Sequence, residues 1–212
     1  MFRSGLLVMI ITMVSRVLGL VRAGIIAYYF GASAMTDAFF SAFKISNFFR
    51  QLLGEGALGS SFIPLYNERV ESEGEENSKQ FIYSILNLLF VFSTIVTILM
   101  IIFSQGIIDG IVSGFPDETK IIASRLLKIM SVYFVFISLS GMVCAILNNF
   151  KQFAVPASTS IFFNLAIILA SMYFGKTYGI DALAYGVVIG GLFQFLVCLL
   201  YTSDAADDMQ CV

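Results

Sequence analysis

Arg16, Arg22, Asp37, Lys44, Arg50 and Glu55 fall within Ser15–Pro64, a stretch otherwise apolar enough to lie in a bilayer. An ionisable side chain at the centre of a membrane helix costs about 2.5–3.5 kcal/mol on insertion scales. Four cations and two acids placed there are therefore not packing residues. The chemistry they suit is electrostatic: a polar cavity inside a helical bundle, with positive charge in excess and an anion as its natural occupant. Arginine forks match phosphate oxygens bidentately, which points to a phosphate-bearing group. Charge pattern alone fits a carboxylate or a nucleotide as well. The plain alternative is internal ion pairing, of Asp37 with Lys44 or an arginine and of Glu55 with Arg50, which would still leave two cations in surplus.

Helix geometry sorts these residues. Positions 7, 11 and 18 apart lie within about 20° of one another at 100° per residue, so Asp37, Lys44 and Glu55 form one polar stripe on an unbroken second helix. Arg50 lies about a third of a turn off that stripe, and Arg16 and Arg22 are separated by a similar angle on the first helix. Gly54 and Gly56 bracket Glu55, where the helix is expected to kink or unwind.

The elements that carry them follow from composition. Of 212 residues, 58% are hydrophobic and only 12% charged, against about 25% charged in an ordinary soluble domain. The fold class is therefore an all-α polytopic membrane protein, a six-transmembrane-helix bundle. Four spans are free of Asp, Glu, Lys and Arg: Ile82–Phe103, Ile129–Phe150, Gln152–Gly175 and Ala182–Ser203. Two charge-bearing spans, about Ser4–Phe30 and Ala34–Leu65, precede them. The N-terminus begins like a signal peptide but has no A-x-A-type cleavage site, and it reads as the first span, uncleaved. FGAS at Phe30–Ser33 and FGKTYG at Phe174–Gly179 supply helix stops, and Pro156 suits a first helical turn. Asn67–Gln80 reads as a solvated loop or amphipathic surface helix. Six spans put both ends on one side, and the positive-inside rule slightly favours a cytoplasmic N-terminus, with Asn67–Gln80 inside and Ser104–Lys120 outside. Ser15, Gly19, Ala23, Ala27 and Gly31 form a small-residue stripe suited to close helix packing, and Gly186 and Gly190 repeat it in the sixth span.

Several classes are disfavoured. The chain has no histidine, no G-x-S-x-G and no phosphate loop, so no enzyme class fits and no cofactor is implied. Cys144, Cys198 and Cys211 have no metal-ligand spacing. No basic tract suggests nucleic acid.

At the charged stretch the chain resembles a known family. SRVLGLVR, FGASAMTDAFF, AFKISNFFRQLLGEGAL and SSFIPLYNE are similar to the opening two helices of the lipid II flippases (MurJ, also called MviN) of the multidrug/oligosaccharidyl-lipid/polysaccharide (MOP) exporter superfamily. LLKIMSVYFVFISLSGMVCAILNNFKQFAVPA, Asn164 and ALAYGVVIGGLFQ extend the resemblance over about residues 8–196. It implies one six-helix lobe of a two-lobed fold around a cationic central cavity, in the bacterial cytoplasmic (inner) membrane. The implied partners are membrane lipids and lipid II, the undecaprenyl-pyrophosphate-linked muropeptide, moved from the inner to the outer leaflet. By position, the family's cavity arginines fall on Arg16, Arg22 and Arg50, with Lys44 beside them as substrate-binding residues and Asp37 and Glu55 as polar or ion-pairing ones. The family commonly has an acid where this chain has Ala23 and a base where it has Gln51.

Family members are about twice this length or more, so the resemblance implies residues 1–197 as an N-terminal lobe whose C-terminal partner lobe is missing. The end, CLLYTSDAADDMQCV, departs from the family pattern and resembles translated sequencing-library adapter, so residues 198–212 read as a non-native tail. Two competing functions remain: another lipid-linked oligosaccharide flippase of the same superfamily, or a non-transporting membrane scaffold or lipid-binding subunit. A drug exporter fits less well, because drug-cation pockets favour acids. Intramembrane cations argue against the scaffold.

Overall fold

The computed structural model describes residues 2–51 and 58–210, and among them the regular structure is helical throughout. The helices are α1 (Phe2–Phe30), α2 (Ala34–Arg50), α3 (Leu58–Glu73), α4 (Glu75–Ile102), α5 (Ser104–Ile111), α6 (Asp117–Ser131), α7 (Tyr133–Asn149), α8 (Ala154–Tyr178) and α9 (Asp181–Gln210). The punctuation residues end them as their chemistry requires. Gly31 (φ +64°) closes α1, and the Ser33 hydroxyl caps α2 by accepting from the Thr36 amide at 3.4 Å. Gly179 (φ +58°) ends α8. Pro156 is the third residue of α8, where a missing N–H leaves no helix bond unmade.

Four helices are long and apolar enough to cross a membrane: Gly5–Phe30 of α1, Gln80–Ile102 of α4, α8, and Asp181–Thr202 of α9. The pair α6–α7, bent by 40°, is apolar enough only when taken together, as a broken span or a re-entrant loop. The expected straight span Ile129–Phe150 thus crosses a joint at Val132. Its cause is local competition for carbonyls. The Ser131 hydroxyl donates back to the Leu127 carbonyl at 2.6 Å, while the Ser131 carbonyl accepts from Thr97 of α4 at 3.2 Å. Such back-bonding and side-chain insertion bend helices.

Of the expected second pass, Ala34–Leu65, α2 and the start of α3 are described, and residues 52–57 between them, with the Gly54–Gly56 kink site, lie outside the described residues. α2, the described part of the second of the two charge-bearing passes expected, has 17 residues, about 25 Å of rise at 1.5 Å per residue. Asn67–Gln80 is helical on both sides of Gly74 (φ +81°), as the end of α3 and the start of α4.

The core lies where α2, α6, α7, α8 and α9 meet, around Phe39, Leu126, Met130, Phe134, Leu183 and Val187. α8 and α9 pack closest, through glycines. A Cβ on Gly186 would meet Ala170 Cβ at 2.8 Å, one on Gly190 would meet Phe163 Cδ2 at 2.8 Å, and one on Gly191 would overlap the Tyr133 ring. A hydroxyl pair joins α6 to α5, where Ser124 donates to Ser104 at 3.1 Å.

The small-residue stripe of α1 behaves differently. Ser15 and Gly19 face α8, where Asn164 Nδ2 lies 3.9 Å from the Cβ position of Gly19 and donates to the Ser15 carbonyl at 3.2 Å. Ala23, Ala27 and Gly31 are exposed. A strict four-residue repeat advances about 40° per step, so it leaves any one face after two or three steps. The packed face of α1 instead follows three-and-four spacing through Ser15, Leu18, Arg22, Ile25, Ile26 and Tyr29.

Candidate functional site

Arg16 and Arg22 leave α1 in different directions, as six residues at 100° each dictate. Arg16 is exposed, whereas Arg22 is half-buried. The Arg22 guanidinium carbon sits 5.9 Å from the ring centroid of Phe43 on α2 and 6.0 Å from that of Phe163 on α8. The two rings stack on each other, centroids 6.2 Å apart and planes 23° apart. Three helices therefore meet at one cation.

On α2 the buried face is Ala38, Phe39, Ala42, Ile45 and Ser46. Asp37 and Lys44 share the opposite, exposed face, so this part of the polar stripe lies on one side of the helix. Asp37 is in the first turn of α2, where the helix N-terminus favours a negative charge. Lys44 borders an open cleft of about 860 Å³ between α2 and α5, whose walls include Ser41, Asn47 and Phe48 on one side and Gly106 and Gly110 on the other. The Arg50 side chain and the whole of Glu55 lie outside the described residues, and with them the possible Glu55–Arg50 pair.

Among the described residues no ion pair joins Asp37 to Lys44, Arg16 or Arg22. Lys44 is about 10 Å of helix rise from Asp37, and helical ion pairs form at three or four residues, not seven. Ion pairs among the described residues lie elsewhere, such as Arg125 of α6 with Asp181 of α9 at 3.1 Å and Lys120 with Asp117 at 3.8 Å. Among the described residues Arg16, Arg22 and Lys44 thus have no acid paired with them, and Arg22 has aromatic faces beside it instead. An arginine held that way keeps its N–H donors for an incoming anion. Charge spacing alone does not reveal the aromatic partners. The signal for one was present in the Phe39, Phe40, Phe43 cluster, but Phe163 lies on a helix far along the chain.

The chain is similar to known proteins along most of its length. Residues 26–206 match the family model "Lipid II flippase MurJ". The probable lipid II flippase MurJ of Buchnera aphidicola subsp. Acyrthosiphon pisum (strain APS) is 42% identical over 193 residues, covering 89% of this chain and 38% of that protein. The lipid II flippase MurJ of Burkholderia cenocepacia is 34% identical over 203 residues, covering 94% of this chain and 39% of the relative. A solved structure, lipid II flippase MurJ in an inward closed conformation, superposes with a TM-score of 0.81 at 36% identity, over 92% of this chain and 41% of that one. The chain spans about two fifths of the length of the curated relatives it matches. It is a multi-pass protein of the bacterial cytoplasmic (inner) membrane, and it belongs to the lipid II flippase MurJ family.

Proposed function

We propose that residues 1–197 are the N-terminal lobe of a lipid II flippase, which moves the undecaprenyl-pyrophosphate-linked muropeptide across the membrane through a cationic central cavity. Residues 198–212 are a non-native tail in this reading. Arg16, Arg22, Arg50 and Lys44 bind the pyrophosphate, and Asp37 and Glu55 set the local charge balance. The observation that carries the proposal is Arg22: a guanidinium where three helices meet, with two aromatic rings and, among the described residues, no acid paired with it. A charge kept in that setting is costly unless an anion uses it.

In this reading the partner of this lobe is a C-terminal lobe of the same protein; the chain covers 38% of the Buchnera relative's length. Two bundles rocking about a shared site give alternating access. The cations hold the pyrophosphate between them, and the prenyl chain stays in lipid. No bond is made or broken, so no catalytic residue or cofactor is needed.

Complementation of a flippase-depleted bacterium with the complete gene tests this. Arg16→Ala, Arg22→Ala and Arg50→Ala should each fail to support growth while accumulating in the membrane. Lysine at those positions should restore partial function at most, because a point charge does not reproduce the guanidinium fork. Normal growth with both Arg22→Ala and Arg50→Ala refutes the anion site.

A further inference from the structure

The bracket around Arg22 is built from more than the two rings that touch it. Phe43 stacks on Phe39 one turn earlier on α2, with centroids 6.0 Å apart. Phe163 tilts against Tyr133 of α7 at 5.5 Å, and its ring edge lies where a Cβ on Gly190 of α9 would stand. The ladder Phe39–Phe43–Phe163–Tyr133 thus crosses α2, α8 and α7, and it is braced at its far end by the closest helix contact in the lobe. α1 docks mainly on α8, so Arg22 is where α1 is tied across to α2.

A cation over ring faces is attracted by the ring quadrupole without giving up an N–H. A carboxylate partner would take the N–H edges that a phosphate needs. Two rings from two helices also restrict where the long, flexible arginine side chain can go, which lowers the ordering cost of binding.

We propose that Phe43 and Phe163 are positioning residues for substrate binding: they hold the Arg22 guanidinium in place while leaving its N–H groups for the phosphate oxygens. This inference rests on the reading of Arg22 as a pyrophosphate-binding residue.

The test is equilibrium binding of undecaprenyl pyrophosphate to the complete protein in nanodiscs, with thermal unfolding followed in parallel. Phe43→Leu keeps an apolar side chain of similar size but removes the ring, and should weaken binding roughly 2- to 10-fold, the ordering cost of one long side chain. Phe163→Leu should act in the same direction, and Phe43→Tyr, which keeps the ring, should stay within about twofold of the parent. In an Arg22→Ala background, adding Phe43→Leu should change binding no further. Phe43 is half-buried, so the Phe43 series decides the matter by itself where Phe163→Leu disturbs folding. Equal losses from Phe43→Leu with and without Arg22 would show that the ring acts through packing, and the proposal falls. Parental binding by Phe43→Leu overturns it also. Parental binding by Arg22→Ala is a different failure, because it removes the pyrophosphate reading on which the inference stands.

Discussion

The α8–α9 pair and the α1–α2 pair are built on opposite terms. In the apolar windows of α8 and α9, 50% and 44% of residues are buried, against 6% in α1. Glycines bring α8 and α9 together until their backbones nearly touch, and no charge lies between them within the membrane. α1 and α2 carry the charges, expose much of their surface and are joined across the bundle by Arg22 and its two rings. Apolar helices gain nothing from hydrophobicity in lipid, so close packing of small residues supplies the rigid half. α1 docks on α8 and α2 on α6, and of the four apolar spans α1 keeps the smallest buried share.

Substitutions that fill the α8–α9 contact should have the largest effect on stability. Gly190→Leu would drive a side chain into the Phe163 ring and its carbonyl, and Gly186→Leu into Ala170 and the backbone of Ile167. Overpacking of this kind costs about 1–3 kcal/mol and more where backbone must shift. A clear drop in midpoint temperature in detergent is expected, and an unchanged midpoint would remove the contrast between the two halves. A smaller loss should follow Asn164→Ala, which deletes the hydrogen bond to the Ser15 carbonyl. Such interhelical bonds in membranes average about 0.6 kcal/mol, with a maximum near 1.7. Steric-trap or denaturant unfolding in micelles would measure it. The smallest effect is expected from Ala27→Leu on the exposed side of α1, within about 0.5 kcal/mol. A large loss there would mean that α1 is packed more tightly than its exposure indicates.

The sequence made much of this fold legible where the signal is local. Gly31, Ser33 and Gly179 mark helix ends because only certain residues tolerate those backbone or capping positions. Gly186 and Gly190 pointed to close packing for the same kind of reason. The α6–α7 joint was not legible, since it depends on Thr97 reaching the Ser131 carbonyl from another helix. The stripe from Ser15 to Gly31 was read as one packing face, although its period carries Ala23 and Ala27 away from α8. In the site, the directions of Arg16, Arg22 and Lys44 on their helices followed from 100° per residue. The partner of Arg22 did not, because a pattern of charges directs attention to acids and the structure answers with Phe43 and Phe163.

The most direct measurement is leaflet exchange of fluorescent lipid II in vesicles holding the complete protein or its Arg22→Ala variant, at equal protein content and with equal thermal midpoints. The variant should fall to the rate of empty vesicles, while Ala27→Leu, on the same helix, keeps the parental rate. Exchange by Arg22→Ala at the parental rate would contradict the claim that the charges of α1 and α2 form the anion site.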